Sequence, residues 1–293
     1  MAAVELFGFN IIQGLLLLCF APLVAGLVNK VKAILQKRKG ASLVQEYFDV
    51  YKWWCRPTML TPHTGKIFIL APVVYFVTSL AAAVMVPGFL SGGMSVGDAF
   101  VFVYILALGR FFMTLSSLDA GTAFGGMGGA REIYISVLVE PAVMLAVLIN
   151  SLRYHTTTLS QMTIDYSQPF FTISTVFACV AFFLLMIAEN GRLPVDNPDT
   201  HLELTMIHEC MTLEYSGRLL SLIHLGSMLK LLVFLTLFGA LYLPIPLPLP
   251  LKIVLSGILV GVVETLNNKM RLFKVRVYLG AALLLLLLAI IAE

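Results

Sequence analysis

Along this chain long apolar runs alternate with short polar interruptions, and the length of the runs decides the first reading. A transmembrane helix needs about 20 mainly apolar residues. Eight such segments stand near residues 7–28, 67–87, 98–117, 132–152, 169–188, 217–243, 251–267 and 273–292. The expected fold class is therefore all-α, a polytopic membrane protein of about eight spans forming a single transmembrane domain over 1–293. The sixth and seventh spans are separated only by LPIPLPLP, whose alternating prolines cannot continue a helix and suit an extended connector. The first run reads as a retained helix rather than a signal peptide, because MAAVELFGFN lacks a basic leader and no small-residue cleavage site precedes the basic stretch after it.

Between the first two spans, in the segment 29–66, the pattern changes period. Leu43, Val44, Tyr47, Phe48, Tyr51 and Trp54 recur at helical spacing with Gln45, Glu46, Asp49 and Lys52 between them. This predicts an amphipathic helix lying on the inner membrane surface. Docking of the same helix on another subunit is a compatible alternative.

Composition agrees with the pattern. Hydrophobic residues make up 59% of the chain, charged residues only 12%, and the mean hydropathy is +0.95, whereas a soluble domain carries about a quarter charged residues. Lys and Arg favour the cytoplasmic side of short loops. With eight spans, 15 of the 19 basic residues fall in the odd-numbered connections, which puts both termini on the outer side of a cytoplasmic (inner) membrane. The net charge of +3 is mostly this topological bias and gives no support to nucleic-acid binding.

Several motifs lose on context. Cys19, Cys55, Cys179 and Cys210 form no paired spacing, so no iron–sulfur or zinc site is expected in this chain. His201 and His208 lie seven apart without a third ligand nearby, which argues against a metal. The glycine-rich FGGMGGARE, residues 124–132, lacks the strand and the Lys–hydroxyl pair of a phosphate loop. It is expected to be a tight cytoplasmic turn whose glycines admit a close neighbour, with Arg131 and Glu132 opening the fourth span.

Ionisable residues inside spans are costly in hydrocarbon and are retained for a pathway or a partner. At about 1.5 Å per residue, Arg110 lies roughly 10 Å below the inner surface, Glu140 roughly 12 Å, and His224 and Lys230 roughly 8 and 16 Å. Glu189, Asp119 and Glu264 stand near the inner ends of spans five, three and seven. The carboxylates therefore read as a series descending toward Glu140, either as a hydrated proton path or as structural ion pairs such as Arg110 with Glu140. Lys230 should be neutral by desolvation or paired with a carboxylate from a neighbouring helix or subunit.

The cytoplasmic segment 189–216 is acidic at its start. AENGRLPVDNPDTHLELTMIHE, residues 188–209, holds five of the sixteen acidic residues. Asp196, Asp199, Glu203 and Glu209, with His201 and His208, form a candidate docking and coupling loop, with Arg131 and Glu132 beside it. Arg192 can neutralise only one of the acids, so a partner is expected to cover the rest.

LGRFFMTLSSLDAGTAFGGMGGAREI, VLVEP around Glu140, the acidic string above, LEYSG and ETLNNKMRLFKVRVYL occur in this order. Together they resemble the subunit 1 family of respiratory complex I, in the branch of formate hydrogenlyase, hydrogenase-4 and the energy-converting [NiFe] hydrogenases. The resemblance implies a non-catalytic membrane anchor and coupling subunit that contributes to a proton path. It also implies hydrogenase large and small subunits and antiporter-like membrane subunits as partners, with the lipid bilayer around them. Ni–Fe and iron–sulfur clusters would sit in the partners and none in this chain. The alternative is the quinone-site subunit of a complex I-type oxidoreductase. Against it, the chain reads KRKGAS where the quinone-reducing branch has Arg followed by Gly-Pro, and LPVDNPDTHLEL where that branch has Pro-Phe-Asp with repeated Glu. Glu140 and the Asp119 to Glu132 segment match the family pattern without a shift. A free-standing transporter would be expected to show internal repeats, and none is found.

Overall fold

The computed structural model describes residues 2–60, 64–87, 97–163, 172–196, 206–243 and 245–293. In an apolar surround each backbone N–H and C=O must be paired within its own segment, and the helix achieves this. Among the described residues the helices are α1 Ala2–Leu35, α2 Gln45–Trp54, α3 Lys66–Met85, α4 Ala99–Asp119, α5 Ala123–Tyr154, α6 Ile173–Glu189, α7 His208–Thr212, α8 Gly217–Leu237, α9 Leu249–Leu266 and α10 Leu272–Ile291. A π-helical turn, Phe238–Tyr242, continues α8. No strand occurs among these residues, only an isolated bridge between Asp98 and Thr158.

Seven helices, α1, α3, α4, α5, α8, α9 and α10, are long and apolar enough to cross a membrane, and α6 is an apolar helix of 17 residues. At about 1.5 Å per residue α6 measures about 26 Å, at the short end of what a bilayer core requires. The chain is an integral membrane protein. The helices break within LPIPLPLP as expected, with α8 ending its π turn at Tyr242 and α9 starting at Leu249.

At the centre stands α8. Every residue from Met228 to Tyr242 is buried, which explains why its sequence is apolar all round rather than on one face. Around it pack α1 and α3, while α5 packs against α4, α6, α7 and α10. Near the start of α8, the Tyr215 hydroxyl donates to Phe68 O at 2.9 Å and the two rings stack at 4.0 Å. Burial pushes this phenol up to about 12, so it remains a donor.

One expectation is corrected. FGGMGGARE is helical, because α5 begins at Ala123 rather than near residue 132. Gly121, at φ 64°, turns the chain out of α4, and Thr122 caps α5 by accepting from Gly125 N at 3.2 Å. Each glycine costs about 1 kcal/mol of helix propensity, offset at Gly128 and Gly129 by close packing. A Cβ on Gly129 would overlap Ser117 Oγ of α4, and one on Gly128 would come within 2.9 Å of Cys210 Cβ of α7. The close approach was legible in the sequence, but its helical form was not.

The amphipathic α2 lies across α1 and α8. Asn29 Nδ2 donates to Glu46 Oε1 at 2.8 Å, the Tyr47 hydroxyl donates to Cys19 O, Ser221 Oγ donates to Val50 O at 3.3 Å, and Trp53 stacks on His224 at 4.3 Å. Phe48, Tyr51 and Trp54 remain exposed on the other side, the arrangement of a helix lying in a membrane interface.

Candidate functional site

Four helices converge on Arg110. Its Nη2 contacts Glu189 Oε1 at the end of α6; its Nε stands 3.4 Å from Glu132 Oε1 and its Nη1 3.6 Å from Glu140 Oε1, both on α5. Lys230 of α8 completes the group, with Nζ 2.8 Å from Glu189 Oε1 and donating to Glu189 O at 2.9 Å. The contacts to Glu132 and Glu140 are too long to count as good hydrogen bonds, and among the described residues neither Nε nor Nη1 makes a hydrogen bond. They are ion pairs. Three carboxylates face two cations here, so the fully ionised cluster carries an excess negative charge that one proton would cancel.

Exposure differs sharply within the cluster. The side chains of Arg110, Glu189 and Lys230 are 6–7% exposed, whereas Glu140 is 40% exposed on the outer side of α5. The next residue, Pro141, lies inside the helix and has no N–H to give, so the Val137 carbonyl one turn earlier lacks its usual helical donor. Mid-helix, α5 thus turns a carboxylate and an extra acceptor to the lateral surface. A void of about 10 Å³ lies between Glu189 and Glu140, at the lower limit for one water molecule. Beyond it the site is closed by aromatic rings. Phe102 packs edge-on to Phe234 at 6.4 Å, and Phe182 stacks on Tyr242 at 4.5 Å.

On the other side the cluster opens into a cavity of about 250 Å³. Glu132, Glu189, Arg110 and Lys230 line it, with Glu46, His224, Asp196, Arg192, His208 and Glu209, and between them stand apolar residues such as Tyr75, Met113, Ile135 and Met211. Its lining mixes charged and apolar side chains, and several waters' worth of volume stands between α2, α8 and the stem of the α6–α7 loop.

The structure does not place all the expected acids on one series. The Asp119 carboxylate accepts from Phe68 N at 3.1 Å and fills the space beside Gly65, capping α3 from outside it. Glu264, nearly fully buried, lies 3.0 Å from Lys32 and 3.3 Å from Arg192. Both are thus held apart from the Arg110 cluster, whereas His224 lines the cavity.

A second correction concerns Asp196. Its Oδ1 lies 2.6 Å from Lys269 Nζ, and its Oδ2 accepts from Ile207 N and His208 N at 3.0 Å each. The carboxylate expected to need a partner is neutralised by a cation from the α9–α10 turn, while Arg192 serves Glu264 instead. Arg131 Nη1 donates to Met206 O at 3.0 Å, holding the loop's far end. Asp199, His201 and Glu203 lie outside the described residues.

Sequence reasoning missed Lys32, Lys269, Glu46 and Trp53 as neighbours of this site. The two lysines look like ordinary topological charges, and no local spacing marks them.

Comparison with known proteins agrees with the geometry. The family model for NADH dehydrogenase matches residues 9–292. Hydrogenase-4 component C of Escherichia coli is 33% identical over 80% of this chain and 75% of its own length, and formate hydrogenlyase subunit 4 of the same organism 32% identical over 80% and 77%. NADH-ubiquinone oxidoreductase chain 1 of Chondrus crispus is 29% identical over 71% of this chain and 66% of its own. A chain of the membrane-bound sulfane sulfur reductase, an archaeal respiratory membrane complex, shares the fold with a TM-score of 0.81 over 97% of this chain and 99% of its own, at 18% identity. Matched over nearly its whole length, the chain belongs to the NADH dehydrogenase subunit 1 family.

Proposed function

We propose that this protein is the membrane anchor and coupling component of a hydrogenase complex of the formate hydrogenlyase kind, built from several subunits. It would join a soluble arm, whose large and small subunits carry the Ni–Fe and iron–sulfur clusters, to antiporter-like membrane subunits. In this reading it lies in the cytoplasmic membrane with both termini outside and the charged cavity at the inner face.

The observation that carries the proposal is the Arg110 cluster ending on half-exposed Glu140. A carboxylate presented sideways at mid-helix is costly in lipid and calls for a partner helix or water. In the proposed mechanism a proton enters through the cavity and is taken up by the cluster, relieving its excess of negative charge. The aromatic rings block a straight exit, so the proton passes through the small void to Glu140 and leaves laterally into a neighbouring subunit. The relatives named for hydrogenase-4 and formate hydrogenlyase support this assignment over a quinone-reducing one.

The test is extraction of the assembly in mild detergent, identification of co-purified subunits by mass, and nickel analysis. Nickel-bearing hydrogenase subunits in stoichiometric amount are expected. Quinone-dependent turnover in a nickel-free assembly would overturn the reading.

A further inference from the structure

Of the seven spans, α10 is the least covered by the rest of the chain. Only 28% of its span is buried, against 39–72% for the others. Val275, Leu279, Ala282, Leu286 and Ala289 are its buried side, packed on α5 and α6. The opposite side exposes Phe273, Val277, Leu284 and Leu288. Gly280 lies in this stripe, and a Cβ added there would meet nothing within 4 Å, so the stripe has an open notch.

Cations flank the end at which this stripe begins. Lys274 and Arg276 stand about 160° apart measured across the stripe, one on each side of it, and Arg271 precedes them at the N-cap. All three are exposed, and among the described residues none has an ion-pair partner. Placed at the start of a helix they oppose its dipole, and α10 has no acidic residue in its first turn to offset them.

An anion is wanted at the head of the stripe and a hydrocarbon chain along it, and one molecule satisfies both. We propose that α10 binds an anionic phospholipid, its phosphate held between Lys274 and Arg276 with Arg271 in reach, and an acyl chain lying past Phe273 and Val277 into the notch at Gly280. Basic side chains at the end of a membrane helix recognise such headgroups. A partner helix on this face would instead have to bury three cations. The inference is independent of the Arg110 cluster and of the complex in which the chain works.

The complex, purified in mild detergent, is analysed for retained lipid by extraction and by native mass spectrometry. Two variants are compared with the parent: Lys274→Gln with Arg276→Gln, and Gly280→Leu, which fills the notch and keeps every charge. Removing two surface cations should weaken binding of phosphatidylglycerol by roughly 30-fold, at about 1 kcal/mol per charge. Both variants should lose retained anionic lipid with subunit composition unchanged, and added phosphatidylglycerol should raise the melting temperature of the parent only. The proposal fails if Gly280→Leu retains the parental amount of anionic lipid or releases a subunit. It also fails if phosphatidylcholine or inorganic phosphate reproduces the thermal shift. Should the double charge variant misinsert, Gly280→Leu alone decides.

Discussion

At the scale of single residues the cluster is decided by an inequality of charge. Glu132, Glu140 and Glu189 share Arg110 and Lys230, so each loss has a different cost. Glu140→Gln removes the half-exposed acid with little change of shape. The complex is expected to assemble and keep hydrogenase activity with an artificial dye while losing ion movement, measured in proteoliposomes; normal transport in this variant would refute the lateral route. Arg110→Met leaves the buried acids facing Lys230 alone. Breaking a buried ion pair from one side costs about 3–5 kcal/mol, so a large fall in melting temperature and in yield is expected. Arg110→Lys should rescue poorly, because an ammonium cannot span three carboxylates as the guanidinium fork does.

Between helices, capping and close approach decide. Asp119 looked from the sequence like one step of a carboxylate series, and the structure makes it the cap of α3. Asp119→Ala should cost about 1 kcal/mol, seen as a fall of a few degrees in melting, with Asn recovering most of it. Coupled ion transport should survive wherever the complex assembles. Loss of transport at full assembly would return Asp119 to the pathway. The same scale explains the misread glycines. Their low helix propensity argued for a turn, but contacts with α4, just before them in the chain, and with α7, about 80 positions on, outweigh propensity.

Across the whole molecule, the acidic loop is tied at its stem to both ends of the chain. Asp196 pairs with Lys269, Glu264 bridges Arg192 to Lys32 on α1, and Met270 N donates to Pro194 O at 2.8 Å. Lys269→Met would remove the cation that pairs with the buried Asp196 carboxylate. Limited proteolysis of the intact complex should then cut faster within 197–205, and Asp196→Asn added to Lys269→Met should restore part of the protection, since it removes the charge that Lys269 had paired. Equal cutting in parent and both variants would mean that the clamp does not hold the loop.

Apolar run lengths, proline punctuation and charge scarcity were enough to determine the helical membrane fold and its eight apolar segments, of which α6 is the short one, and helical spacing the amphipathic α2, while the family was legible only as a resemblance of motifs such as that at residues 188–209. These are properties of neighbours in sequence, where hydrophobicity and backbone pairing act locally. The candidate ion-pair members could be named, and Lys230, expected to be either neutral by desolvation or paired with a carboxylate, lies 2.8 Å from Glu189 Oε1. Which acid meets which cation was decided only by the tertiary structure. Glu140 and Glu189 meet at Arg110 although Asp119 and Glu264 have the same chemistry, and Asp196 is neutralised by a lysine 73 positions away. The reason is physical. A carboxylate's partner is set by distance and burial in three dimensions, and helix packing brings together side chains whose separation along the chain carries no mark of the contact.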